Sequence, residues 1–144
     1  MVRAALAWLG AGAVAGLAMM ADRFLPGAWR AWLAPTHGHM LFVGWFLQFT
    51  LGIAFWLLPR TRSPQRPLGY SERWGVVAAA LINAGLALRV VAEPLTRTGR
   101  DALWLDLTLV ASGLAQVLAV GIVARELWPR LAPRAPRRQS DSSS

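Results

Sequence analysis

Apolar residues in this chain come in long blocks instead of the short stripes of a soluble amphipathic helix. Four blocks, residues 4–21, 36–58, 74–92 and 102–124, are almost free of charge, with Arg89 inside the third and Asp106 inside the fourth. Each is close to the ~20 residues that a helix needs to cross a ~30 Å hydrocarbon core. Breakers separate them: Pro26, Gly27 and Pro35, then Pro59, Pro64 and Pro67, then Pro94 and Gly99. The pattern predicts an all-α fold, an integral membrane four-helix antiparallel bundle over residues 1–131. Residues 29–33 read as a stretch in the outer interface. Residues 132–144, APRAPRRQSDSSS, read as a disordered cytoplasmic tail.

Composition agrees with a lipid-embedded chain. Of 144 residues, 56% are hydrophobic, eight are tryptophan, and the mean hydropathy is +0.42. A soluble domain of this size has too little interior for so much apolar surface. There is no cysteine, so disulfides and thiolate chemistry are excluded, and histidine is the strongest nitrogen ligand left. All 15 basic residues are arginine, against seven acids, a net charge of +8. In a soluble protein that excess would suggest nucleic acid; here the arginines sit in loops and tail, so membrane lipid, not nucleic acid, is the expected partner. Arg3, the loop arginines 60, 62, 66 and 73, and the tail arginines 125, 130, 134, 137 and 138 fall on one side of a four-span topology. The other side carries the nearly balanced set Asp22, Arg23, Arg30, Glu93, Arg97, Arg100 and Asp101. The positive-inside rule then gives N-in and C-in, in a bacterial cytoplasmic membrane. Residues 1–21 read as a retained span, because their uncharged run exceeds the ~7–15 residues of a signal-peptide core. Cleavage there would also put the two arginine-rich segments on opposite sides.

Residues 35–59, PTHGHMLFVGWFLQFTLGIAFWLLP, open with both histidines of the protein, His37 and His39. Histidine at lipid depth has to be paired or ligated, which makes this helix entry a candidate metal or haem site. At about 100° per residue the two rings stand about 200° apart and cannot share one pocket of the same bundle. The His37 stripe continues through Leu41, Gly44, Gln48 and, slightly offset, Gly52; the His39 stripe runs through bulkier Val43, Phe46 and Thr50. Small and polar residues face helix partners in membranes, so His37 is expected to point inward, with Gly44 leaving room for a flat macrocycle. His39 is expected to face away, as a headgroup-level histidine, a supporting donor, or a ligand at a subunit contact. The bland alternative is that both are interfacial histidines with no ligand.

Arg89, Glu93 and Asp106 share the depth of His37 in this topology. They are expected to form an ion pair, Arg89 with Glu93 or Asp106, that ties the third helix to the fourth. Arg89 could equally bind an anion such as a haem propionate, since guanidinium matches a carboxylate. Asn83 and Gln116 read as interhelical hydrogen-bonding groups. Gly12 and Gly16 form a small-x-x-x-small packing face.

The second block resembles the histidine-bearing second helix of the haem–copper oxidase catalytic-subunit superfamily, above all its nitric oxide reductase and cbb3-type members. The likeness rests on Thr36-His37-Gly38 followed by Met40 and Phe42, then Gly44-Trp45, Gly52 seven residues before Pro59, and Trp56-Leu57-Leu58-Pro59. The whole chain is similar to short four-helix relatives of cbb3-type subunit I, and more distantly to NnrS-type haem- and copper-containing membrane proteins, which share the H-x-H entry. The resemblance implies haem b as cofactor, held by His37 or alternatively His39, with copper a lesser candidate. It implies a role in electron transfer, haem handling or sensing in a respiratory or nitric-oxide-related system. The second axial ligand could come from a histidine of a second copy in a homodimer, from Met40 or Met19, or from a small gas. The alternative reading is a haem-free accessory or assembly subunit partnering an oxidase or nitric oxide reductase; a transporter or channel has less support. Two histidines are too few for a binuclear centre, so oxygen or nitric oxide reduction by this chain alone is not expected.

Overall fold

The computed structural model describes residues 1–24, 27–59 and 70–131. The expected disordered tail, Pro26, and residues 60–69 of the arginine-rich loop, with Pro64 and Pro67, lie outside the described residues. Four helices are long and apolar enough to cross a membrane, and no strand occurs among the described residues. We call them α1 (Val2–Met20, continued by a 3-10 turn at Ala21–Arg23), α2 (Trp29–Leu57), α3 (Glu72–Arg97) and α4 (Leu103–Leu131). The end where α1 joins α2 and α3 joins α4 is termed the upper end.

α2 and α3 outrun the apolar blocks that announced them, because two expected breakers do not break. Pro35 lies inside α2 and Pro94 inside α3. A proline within a helix removes one ladder hydrogen bond, a loss that membrane helices tolerate when neighbours supply partners for the freed groups. Residues 29–33 are therefore the first turns of α2, with Trp29 and Trp32 edge-on at 5.9 Å. The turns are made by glycines with positive φ, Gly27 at 118° and Gly99 at 78°, a region costly for any other residue. At the lower end Leu58 is extended ahead of Pro59, which stops α2.

α2 sits between α1 and α3, and α4 packs along α3. Close approach depends on missing side chains. A Cβ on Gly44 would stand 2.6 Å from Leu86 Cδ2 and 2.7 Å from Trp8 Cβ, so this glycine lets α1 and α3 both reach α2. A Cβ on Gly85 would meet the Ser112 carbonyl at 2.9 Å, where the backbones of α3 and α4 nearly touch. In the lower half Phe55, Ala78, Ile82, Ala119, Val123 and Leu127 form one apolar cluster from α2, α3 and α4.

Polar side chains cross-link the bundle where lipid would leave them unpaired. Trp8 Nε1 donates to Asn83 Oδ1 at 2.8 Å, and Asn83 Nδ2 donates to Gln48 Oε1 at 2.7 Å. Gln48 Nε2 in turn donates to the Gly44 carbonyl at 3.0 Å, so α1, α2 and α3 share one chain of hydrogen bonds. At the lower end α4 clamps two helix termini. Arg130 donates to the Phe55 and Pro59 carbonyls at 3.2 and 3.0 Å and also to Leu58 O, and the Glu126 carboxylate accepts from Ser71 N–H at 2.9 Å. A cation thus meets the C-terminal carbonyls of α2 and an anion the N-terminal amides of α3, each matching the helix dipole.

Candidate functional site

The upper half of α2 changes its winding just below the histidines. Met40–Leu47 is a π-helix, with more residues per turn than the α segments on either side. In an α-helix Gln48 would stand about 120° around from Thr36. Under-winding instead aligns Thr36, Met40, Gly44 and Gln48, which are the buried positions of α2 above Phe55. The expected inward stripe keeps Gly44 and Gln48, but above them it shifts from Leu41 and His37 to Met40 and Thr36. His37 and His39 flank the buried stripe, and because α2 has a helix on each side, both rings meet protein.

His37 faces α1. Its Nδ1 lies 2.8 Å from the Gly12 carbonyl oxygen. A carbonyl can only accept, so Nδ1 donates, and in the neutral ring Nε2 keeps its lone pair. Nε2 has no hydrogen-bond partner among the described residues. The ring fits because α1 is small at this point: a Cβ on Gly16 would approach His37 Cε1 at 3.0 Å, and one on Gly12 would meet Leu41 Cδ2 at 2.6 Å. The Gly12/Gly16 face read from the sequence is thus the seat of α2. Beside the ring opens a cavity of about 510 Å³, lined by Ala13, Gly16, Leu17, Met19, Met20, Arg30 and His37.

His39 does not face away; it meets α3. Its Nδ1 lies 2.9 Å from the Pro35 carbonyl and 3.2 Å from Glu93 Oε2, so it donates there. Its Nε2 then accepts from Arg89 Nη1 at 3.0 Å. Glu93 Oε2 also accepts from Thr36 Oγ1 at 3.2 Å, and Arg89 Nε donates to Ser112 Oγ at 3.3 Å. Both nitrogens of His39 are committed, which leaves no lone pair for a metal.

Of the two expected ion pairs, Arg89–Glu93 forms but does not tie α3 to α4. Arg89 Nη1 is 3.9 Å from Glu93 Oε1, one turn along the same helix, and the bond across to α4 goes to the Ser112 hydroxyl. Asp106 is exposed. The buried face of α4 runs through Leu105, Ser112, Ala119 and Glu126, and Asp106 is turned about 100° off that line. Its carboxylate sits in the first turn of α4, where it suits the positive end of the helix dipole. Asn83 bridges helices as expected, whereas Gln116 Nε2 is buried with no hydrogen-bond partner among the described residues.

Of the four residues expected to form the site, His37 lines a cavity among the described residues. His39 and Arg89 belong to a closed hydrogen-bonded cluster, and the space above Gly44 is filled by Leu86 and Trp8, leaving no room there for a macrocycle. No set of three or more histidine or acidic side chains converges among the described residues. Met19, Met20 and Arg30 join the site. Reading the helix entry by itself overlooks Arg30 and Met20, although Ala13, Gly16, Leu17 and Met20 stand on one helical face beside the glycine pair. Comparison of the chain with family models, with curated proteins and with solved structures finds no match in any of the three.

Proposed function

We propose that this chain is a small multi-pass protein of the bacterial cytoplasmic membrane, with both termini inside, that binds haem b through His37 in a respiratory or nitric-oxide-related system. The observation that carries the reading is the state of the His37 ring. Its Nδ1–H is anchored on the Gly12 carbonyl, its Nε2 is unpartnered among the described residues, and it borders a cavity containing an arginine. Anchoring one nitrogen on a carbonyl fixes the tautomer and orientation that a ligating histidine needs. Gly16 makes the space for the ring, and Arg30 supplies a guanidinium suited to a propionate. Bound haem would supply a one-electron redox centre or an iron position for a small gas. His37 would hold the iron, Arg30 a carboxylate, and the apolar faces of α1 and α2 would exclude water.

The test is a pyridine haemochrome assay and a reduced-minus-oxidised spectrum on protein purified from cells supplied with ample haem. Wild type and His39→Ala are expected to carry haem b, and His37→Ala to lose it. Haem loss in His39→Ala with retention in His37→Ala would move the site to the α3 face. Colourless wild-type protein would leave a haem-free accessory subunit as the reading.

A further inference from the structure

We infer that Met20 provides the second axial ligand to iron held by His37, an inference that rests on the haem reading above. Iron bound to one histidine has a position left to fill, and the donors this chain can offer are few. His39 has both nitrogens engaged, by Pro35 and Glu93 on one side and Arg89 on the other. The chain has four methionines. Met1 is at the opposite end of α1. Met40 is 8% exposed, belongs to the stripe facing the bundle centre, and does not line the cavity. Met19 and Met20 do line it.

Helix register separates these two. Ala13, Gly16, Leu17 and Met20 follow at i, i+3, i+4 and i+7, one face of α1, and this face borders the cavity with His37. Met19 is displaced by about 100° from Met20. Met20 is 77% exposed, so its thioether can swing into the cavity without leaving a packed position. Methionine is unbranched and has three rotatable bonds, which suits a ligand that must reach. A histidine with thioethers would also suit Cu(I). Arg30 in the same cavity opposes a bare cation and favours a ligand bearing carboxylates, as haem does.

The experiment uses the full-length protein in detergent with its native haem. Histidine–methionine ligation gives ferric haem a sulfur-to-iron charge-transfer band in the near infrared, and a thioether raises the reduction potential. Met20→Leu is expected to keep its haemochrome haem, lose that band and fall in potential, while Met19→Leu keeps both properties. Loss of the band in Met19→Leu, or its survival in Met20→Leu, overturns the assignment. Wild-type protein that holds haem but lacks the band overturns methionine ligation and leaves the His37 reading intact. Colourless protein, or protein that carries copper in place of haem, overturns both.

Discussion

Glu93 is the residue on which the upper end of the bundle converges. Its carboxylate takes hydrogen bonds from Thr36 and His39 of α2 and lies one turn from the Arg89 guanidinium, with a side chain only 13% exposed. Two hydrogen bonds from α2 and an ion pair within α3 thus meet on one carboxylate. Removing one member of a buried ion pair leaves the other uncompensated, which typically costs about 3–5 kcal/mol. Glu93→Ala is expected to destabilise the protein by about 3 kcal/mol, the low end of that range, because Arg89 keeps 20% of its side chain exposed and can turn its charge toward water. Denaturant unfolding in mild detergent measures this. An unchanged midpoint would show that Arg89 and His39 find water as readily as they find Glu93. If haem binds as proposed, the same variant is expected to bind it as wild type does, because His37 is on the other side of α2, against α1.

The decisive element is α2, and its π-helical stretch explains what the sequence could and could not tell. Four helices were legible because lipid demands long charge-free runs, and the Gly12/Gly16 face was legible because close packing demands small residues. The facing of His37 and His39 was not legible. A uniform 100° per residue places Gly44 and Gln48 inward, as they are, but carries the stripe on through Leu41 and His37, one position away from the buried Met40 and Thr36. No residue type announces a π turn, so the alignment of Thr36, Met40, Gly44 and Gln48 became visible only in three dimensions. Pro35 and Pro94 misled for a related reason: proline marks a lost hydrogen bond, and whether a helix ends there depends on its neighbours. Gly44 is the packing point of this element. Gly44→Ala is expected to cost about 1–3 kcal/mol through overpacking against Leu86 and Trp8. Gly10→Ala, with open space around its Cβ, is expected to be neutral or to stabilise by up to ~1 kcal/mol. Equal unfolding midpoints for the two variants would show that α2 can move away from its neighbours.

For the whole molecule, the two ends differ in kind. At the lower end Arg130 and Glu126 of α4 hold the end of α2 and the start of α3, beside a second, smaller cavity of about 370 Å³ lined by Met1, Gly52, Tyr70 and Glu72. The upper end holds the histidines and the larger cavity. A helix of 29 residues, such as α2, is about 43 Å long, well beyond a ~30 Å hydrocarbon core, so its ends must reach the interfaces. His39 is ten residues below Trp29, about 15 Å along the axis, which puts the histidine cluster within the upper half of the hydrocarbon. A redox or gas ligand site at that depth would be served from the side the upper end faces. On the positive-inside rule the expected side is the outer one, since in the sequence topology Arg3 and the arginines at 60, 62, 66, 73, 125, 130, 134, 137 and 138 belong to the opposite end. A reporter enzyme active only outside the cytoplasmic membrane is therefore expected to be silent when fused after Ser144 and active when inserted after Gly99, in the turn between α3 and α4. Activity at Ser144 with silence at Gly99 would invert the molecule and put His37 at the cytoplasmic face, so that any electron donor or ligand would have to reach it from within the cell.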